Sequence, residues 1–493
     1  HDFWNRDRAG VTDQGIITGV QMELAGLCGC TADLSEGIVD RAMFHADNAY
    51  YYPAARINGY RCKTNTVSNT AFRGFGGPKG MIAAESMMDD IARKVGRDPL
   101  DVRLDNLYAP GRDETPYGQK IEQHMLRDMM EKLAEDAGYR DRRNAISAFN
   151  KENADVRKGL ALTPIKFGIS FTSTHLNQAG ALLHIYTDGS VHINHGGTEM
   201  GQGLYTKIAQ VVASTLGVSY ERVMVSSTRT DKVPNTSPTA ASAGTDLNGM
   251  AAQNAAQKIK RRLIEFVASD SGVSSNEVTI ENDKVMVRGD ARSFDDVVKS
   301  AYMNRIQLSA TGFYKTPKIN FDKETGKGHP FFYFANGAAL SEVIVDGLTG
   351  EYRVSQVDIL HDVGNSINPA IDIGQIEGGF VQGMGWLTTE ELLWDDTGRL
   401  ISNSPANYKI PTAYDVPEKF SVQLYHEPNQ EKTIYQSKAV GEPPLMLALS
   451  VWCALRDAAA SFSDYQINPP MNAPATPEEV YYAINAAKEY STK

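Results

Sequence analysis

The sequence predicts a mixed α+β fold arranged in two domains. Its 493 residues exceed one ordinary domain, at about 150 residues each. Strand-like and helix-like segments alternate irregularly, without the βαβ rhythm of a doubly wound sheet. No repeat of fixed period runs through them. Hydrophobic residues make up 42%, and 42 glycines bring the apolar share to about half, which is the composition of a packed core. With 49 Lys+Arg against 60 Asp+Glu, the net charge of −11 leaves no basic field for a phosphate backbone and argues against nucleic acid as a partner.

From the N-terminus, residues 15 to 27 read as strand, and residues 44 to 70 are polar and tyrosine-rich. A helix follows the glycine cluster at 74 to 80. Pro78 suits its first turn, Met81, Ala84, Met88, Ile91 and Val95 recur at helical spacing, and Gly96 is placed to end it. A second helix starts at Asp98-Pro99. Residues 111 to 158 are charged and poor in branched aliphatics, with helical spacing around Met125 to Leu133, which predicts a surface excursion connecting two larger units. The boundary is therefore expected near residue 155, dividing 1–155 from 156–493. Beyond it, Ala181 to Tyr186 and Val191 to His195 flank Asp188-Gly189 as a hairpin. A two-residue turn there sets position 193 opposite 184, sending His184 and His192 to opposite faces and leaving no histidine metal site. Helices are expected from Leu204 to Leu216, closed by Gly217, and from Leu247 to Val267, whose Lys258, Lys260, Arg261 and Arg262 read as a solvated face.

Cys28, Cys30, Cys62 and Cys453 are too few for a disulfide framework, and the first two stand too close for a Cys-x-x-Cys metal pair. That usage suits a reducing compartment, with the cytoplasm as the expected location. The longest apolar stretch, Leu445 to Leu455, is shorter than the roughly 18 residues of a membrane span, so a soluble protein without a membrane partner is expected. The chain opens at His1 in strand-and-turn residues, as the later part of a longer polypeptide would.

Several segments could carry chemistry. Thr70 to Gly80 places glycines before a helix N-terminus, where free N–H groups and the helix dipole favour an anion, although the spacing alone fits a structural turn equally well. It is neither Gly-x-Gly-x-x-Gly nor a P-loop. Phe75 within it could stack on a flat ring. His195 to Gly203 offers a second cradle of the same kind, and Asp372 to Gly379 a third. Pro234 to Ser242 is dense in hydroxyls and small residues suited to a polar ligand, or to a capped loop. Several such pieces together point to a large, polar, anionic cofactor wrapped by main chain. Glu442, in Val440-Gly441-Glu442-Pro443-Pro444, is the candidate for acid–base work. The following proline is expected to hold it extended, and burial would raise its affinity for a proton, whereas a loop glutamate is ordinarily exposed. No Gly-x-Ser-x-Gly elbow and no His-Glu-x-x-His occur.

Taken together, Arg41-Ala42-Met43-Phe44-His45-Ala46-Asp47-Asn48, Asn69 to Pro78 with its Phe72-Arg73-Gly74-Phe75-Gly76-Gly77 centre, Lys166 to Thr172, Gly196 to Gly203, Pro234 to Ser242, Asp372 to Gly378 and Lys438 to Pro444 resemble, in order, the molybdenum-binding subunit of the xanthine dehydrogenase and xanthine oxidase group of molybdenum hydroxylases. The resemblance implies a mixed two-domain molybdopterin-binding architecture. It implies that Glu442 is the general base that takes a proton from a molybdenum-bound hydroxyl, so that the oxygen attacks an electron-poor carbon and a hydride passes to the sulfido ligand. It implies that Arg41 orients a purine and stabilises charge building on its ring, and that Phe75 and Phe171 sandwich the substrate beside Thr172. Arg73 and Ala241 would lay backbone against the metal centre, and Gly74, Gln202, Ala240, Ser242 and Gln375 would surround the pterin.

What the resemblance implies for function is hydroxylation of hypoxanthine to xanthine and of xanthine to urate, with water as oxygen source. Arg41 favours purines over the aldehydes taken by relatives that usually lack it. An aldehyde hydroxylase and a non-catalytic scaffold are the alternatives. The family's earlier half of the molybdenum region has no match here, and Lys79 stands where glutamine is common. Electrons would leave through 2Fe-2S clusters and FAD on other chains or segments to NAD or O2, in a dimer of heteromers.

Overall fold

The computed structural model describes residues 1–232 and 236–491, so Pro234 and Asn235 of the expected hydroxyl-rich loop lie outside the described residues. The first stretch holds strands β1 (Phe3–Val11), β2 (Ile17–Gly29) and β3 (Ala55–Lys63), with helices α1 (Ser35–Phe44), α2 (Gly77–Val95), α3 (Pro99–Asn106), α4 (Leu126–Asp136) and α5 (Tyr139–Glu152). Then come β4 (Val156–Ile169), β5 (Gln178–Ile185), β6 (Val191–His195), α6 (Leu204–Leu216), β7 (Val223–Val225) and α7 (Gly244–Ser271). A small unit follows, β8 (Val278–Glu281), β9 (Lys284–Val287), β10 (Asp290–Ser293) and α8 (Phe294–Met303), after which β11 (Ser309–Lys315) returns to pair with β5. The remainder is β12 (Asn320–Asp322), β13 (Lys327–His329), β14 (Tyr333–Asp346), β15 (Tyr352–Asp362), α9 (Pro369–Thr388), β16 (Lys419–Tyr425), α10 (Leu449–Ala460) and α11 (Pro477–Ser491).

The sheet that organises the molecule has the order β16-β15-β14-β4. Strands β4 and β14 pair antiparallel over their full length, and both are almost continuously buried. Alternation decides which side chain goes where. Ala161, Ile165, Phe167 and Ile169 of β4, with Ala335, Ala339 and Val343 of β14, face α9, α10 and the 3₁₀ turn Pro443–Ala448. Leu160 and Leu162, with Ala338 and Leu340, face Met87 and Met88 of α2 and Met129, Met130 and Leu133 of α4. Residue 155, the expected boundary, thus stands just before a strand whose one face is covered by helices that precede it. For the same reason residues 126 to 152 are not a surface excursion. Their sparse apolar residues, Leu126, Met129, Met130, Leu133, Tyr139 and Ile146, are all buried against this sheet.

Local signals hold at α2, where Pro78 stands in the first turn and Gly96, at φ 68°, closes the end. They hold at α3, where the Asp98 carboxylate accepts from the Leu100 N–H at 2.9 Å. The run Pro443–Ser463 is long and apolar enough to cross a bilayer, and 94% of it is buried inside the fold, as a core helix is. The hairpin departs from expectation. Tyr186 pairs with Ser190 across a three-residue loop, Thr187-Asp188-Gly189, with Gly189 at φ 82°. One extra loop residue shifts the register by one, so His184 lies opposite His192 with the rings stacked 6.2 Å apart on one face. Among the described residues no cluster of three His, Cys, Asp or Glu side chains is arranged to hold a metal ion.

Candidate active site

Glu442 opens the turn Pro443–Ala448 with φ −89° and ψ −41°, not in the extended form expected before proline. Its N–H donates to Ser242 Oγ at 2.7 Å, and its carbonyl accepts from the Leu445 N–H at 3.1 Å. Two hydrogen bonds there outweigh a local preference. The carboxylate is half-buried and held at both oxygens: Ser242 Oγ donates to Oε2 at 2.9 Å, and the Gly74 N–H reaches Oε1 at 3.3 Å. Three segments far apart in the chain therefore meet at one carboxylate.

Arg73 stitches them together. Its Nε donates to the Gly441 carbonyl at 2.7 Å, Nη1 to Gln382 Oε1 at 3.0 Å and Nη2 to the Gln375 carbonyl at 3.4 Å, the last two on α9. Burial lowers its pKa and the charge of Glu442 opposes that fall. The planar, five-donor guanidinium suits this three-way bridge.

Arg41 lies deeper, only 3% exposed. Its guanidinium sits between the rings of Phe167 and Phe331, 4.7 Å from each centroid, with Nη1 donating to the Ser170 carbonyl at 2.8 Å and Nη2 to that of Gly168. Burial lowers its pKa to about 10, against the opposing pull of Glu442. His45 completes the cage. It accepts the Gly168 N–H at Nε2 (3.0 Å), so the neutral ring carries its proton on Nδ1 and donates to the Arg41 carbonyl at 3.0 Å. Burial, then the charges of Arg41 and Lys166, press its pKa well below the usual value.

The glycine pieces divide differently from expectation. Of the cluster at 74 to 80, Gly74 faces the site, with φ 83°, whereas a Cβ at Gly76 or Gly80 would strike the backbone of α1, and one at Gly77 the Phe167 ring. These three glycines seat α1 and β4 against α2. The cradle at the start of α6 is filled by the chain itself: Glu199 accepts from the N–H groups of Gly201, Gly203 and Tyr205 at 2.9 to 3.0 Å. Gln202 turns back onto that loop, donating to the Thr198 carbonyl at 2.8 Å and accepting from the Met200 N–H. Asp372 to Gly379 is no strand-to-helix junction but lies inside α9.

Glu442, Gly74, Arg73, Ser242 and the Gln375 carbonyl are thus brought together. Ala240 and Ala241 adjoin Ser242. Phe75 follows Gly74, with its ring edge 3.0 Å from where a Cβ of Gly37 would stand. Phe171 and Thr172 lie just past the Arg41 anchor at Ser170, and Asn177 holds both the N–H and the carbonyl of Phe171. Gln202 makes its hydrogen bonds within its own loop, apart from this cluster. Lys79, buried in the first turn of α2, donates to the Phe75 carbonyl at 3.1 Å, and burial lowers its pKa to about 8. Sequence reasoning missed the support beneath Glu442: the buried Lys438–Asp362 pair at 2.6 Å, Tyr333 and Asp246. Only Asp246, an acid in the first turn of a helix, carried any local signal.

The backbone tests whether a large anionic pterin suits this place. Gly74 and Phe75 (φ 83° and 58°) and Ala241 and Ser242 (both φ 55°) form two consecutive left-handed pairs, each bonded to the Glu442 carboxylate. Such pairs persist in non-glycine residues only where the surroundings enforce them, and they turn N–H groups toward one side as anion-binding backbone does. A Cβ at Gly374 or Gly378 of α9 would meet nothing within 4 Å, which leaves bare main chain for a ligand to approach. The residues fit the group.

The chain belongs to the molybdopterin cofactor-binding domain family: residues 132–417 match one family model of that description and residues 1–107 another. Its relatives narrow this further. It is 47% identical over 483 residues to the xanthine dehydrogenase/oxidase of Gallus gallus, covering 97% of this chain and 34% of that one, and 44% identical over 493 residues to the xanthine dehydrogenase of Oryza sativa subsp. japonica, covering 98% and 35%. The chain thus spans about a third of the length of these curated relatives. The solved quinoline 2-oxidoreductase from Pseudomonas putida 86 shares the fold, with a TM-score of 0.85 at 24% identity over 98% of this chain and 62% of that one.

Proposed function

We propose that this chain forms the molybdopterin side of a purine hydroxylase, taking hypoxanthine to xanthine and xanthine to urate with water as the oxygen source. The observation that carries the reading is the Glu442 carboxylate, fixed between Ser242 Oγ and the Gly74 N–H where Arg73 ties residue 441 to α9. Relatives named xanthine dehydrogenase support it.

In this reading Arg73, Gly74, Ala240, Ala241, Ser242 and Gln375 would hold the molybdenum–molybdopterin group, Arg73 and Ala241 through their backbone, with Gln202 approaching it from its own separate loop. When bound, that group supplies the water-derived oxygen and takes up an electron pair from the substrate carbon. Glu442 acts as general base. Each carboxylate oxygen accepts one hydrogen bond and retains a second acceptor direction, so a proton can be taken without breaking either bond. Phe75 and Phe171 sandwich the flat substrate beside Thr172, and Arg41 stabilises negative charge developing on the ring from a dry, low-dielectric cage. Electrons leave through 2Fe-2S and FAD centres on other chains or segments to NAD or O2. The assembly is a cytoplasmic dimer of heteromers that includes the earlier half of the molybdenum region.

One observation favours a second reading, an aldehyde hydroxylase: both Nη groups of Arg41 are already committed to main-chain carbonyls, which limits what they can offer a purine. The two readings separate on the native assembly. Purine hydroxylation requires molybdenum and pterin in the active protein, loss of turnover in Glu442→Gln with the metal retained, and selective loss of purine over aldehyde turnover in Arg41→Met. Equal loss toward both substrates in Arg41→Met would favour the aldehyde reading, and active protein free of molybdenum would refute both.

A further inference from the structure

We infer that Tyr333 and Asp246 are positioning residues for Glu442, fixing the segment that carries it against the same end of α7 that holds its carboxylate. The inference rests on the role of Glu442 given above. The Tyr333 hydroxyl accepts the Ala439 N–H at 2.9 Å and donates to Asp246 Oδ2 at 2.7 Å, so its one proton and one acceptor site are both used. Asp246 stands in the first turn of α7, and Ser242 lies four residues before it. One helix end therefore grips the 438–442 segment twice, through Tyr333 at residue 439 and through Ser242 at residue 442. Lys438 adds an anchor at the other end, with its N–H on the Val363 carbonyl at 2.7 Å and its Nζ on Asp362.

Tyr333 also sets the distance between the two charged groups of the site. It pairs with Ile169 in the β4–β14 ladder, the Phe332 N–H donates to Ser170 Oγ at 2.9 Å, and Phe331 stacks on Arg41. Three consecutive residues therefore hold the Arg41 cage at one end and the Glu442 segment at the other. A tyrosine there could serve packing alone. Packing does not require its hydroxyl to bridge a main-chain amide of the catalytic segment and a buried carboxylate.

The carboxylate makes the role measurable. Burial raises the Asp246 pKa to about 7, opposed by the Tyr333 hydrogen bond and the charge of Lys207. The groups around it are Tyr333 on β14, Lys207 on α6, itself paired with Asp372, and Tyr314 on β11. Ionised Asp246 accepts the Tyr333 proton in a charge-assisted bond, stronger than that of the neutral acid.

The test uses the full-length holoenzyme in three variants. Glu442→Gln must abolish turnover. Tyr333→Phe removes only the hydroxyl, and we expect kcat to fall about 10- to 100-fold with KM and molybdenum content unchanged. Asp246→Asn keeps an acceptor for Tyr333 but no charge. The ratio of wild-type to variant kcat should grow from pH about 6 to about 8, and the infrared carbonyl band of a protonated carboxyl that bleaches over that range in the wild type should be missing. Full turnover in Glu442→Gln would overturn the role assigned to that residue and this inference with it. Loss of turnover there, with wild-type kcat in Tyr333→Phe and a pH-independent ratio for Asp246→Asn, would overturn this inference alone. If Tyr333→Phe does not fold, the pH ratio and infrared band of Asp246→Asn decide.

Discussion

Gly76→Ala probes the coupling between packing and site most directly. A methyl group there would stand 1.7 Å from the Ile38 carbonyl oxygen and 2.7 Å from the Ala42 nitrogen, both main chain of α1. Real Cβ contacts do not fall below 3.0 Å, so α1 must retreat by at least 1.3 Å (3.0 − 1.7). Arg41 lies on that stretch of α1. The same 1.3 Å added to its 2.8 Å bond with the Ser170 carbonyl gives 4.1 Å, which is no longer a hydrogen bond. We expect overpacking to cost about 1–3 kcal/mol. Purine turnover should fall about 100-fold, because a shift of about 1 Å outside the reacting centre suffices for that. Thermal unfolding of the variant holoenzyme measures the first effect, and the ratio of purine to aldehyde turnover the second. An unchanged midpoint together with an unchanged ratio would refute the reasoning, since it would mean that α1 does not transmit the clash.

Ser242→Ala removes both the donor to Glu442 Oε2 and the acceptor of the Glu442 N–H; at about 1 kcal/mol for the neutral bond and about 1.5–3 for the charged one, kcat should drop about 100-fold with the cofactor retained, as steady-state kinetics with metal analysis would show. Lys79 has a folded pKa of about 8 against the usual 10.5, so the unfolded chain binds more protons between those values and stability rises with pH across that window. Lys79→Gln should therefore unfold at a higher temperature near pH 7, by about 1–3 kcal/mol, and should lose the rise at alkaline pH. Asp246 is shifted the other way, from 3.8 up to about 7, so its contribution is fully present at low pH and is lost as pH climbs through about 7. Asp246→Asn should flatten that decline in denaturant titrations, and a decline identical to the wild type would place its origin elsewhere.

Legibility followed the range of the interactions. The start of α2 at its proline, the cap of α3 by Asp98 and the close of α6 at Gly217 are decided within four or five residues, and the sequence carries them. The hairpin failed by a single loop residue, because Asp188-Gly189 marks a turn without stating its length, and one residue moves His192 across the sheet. Helical spacing around Met125 to Leu133 marks α4, but the burial of residues 126 to 152 is not legible there, because few apolar residues suffice when a long strand pair supplies the other half of the core. Glycine clusters signalled close approach correctly but not its object: at Gly76 and Gly80 the neighbour is α1.

By itself the sequence determined which residue types were available in which order, a glutamate before two prolines and an arginine among glycines, matching a family in motif after motif. Only the folded chain decided that Glu442 bonds Ser242 and Gly74, that Arg41 is caged by Phe167 and Phe331, and that Glu199 satisfies its own helix end. Caps and turns depend on neighbours in sequence, whereas a buried charge takes its partners from whatever strands and helices happen to close over it, as Arg456 does from Ser86, 370 residues away along the chain.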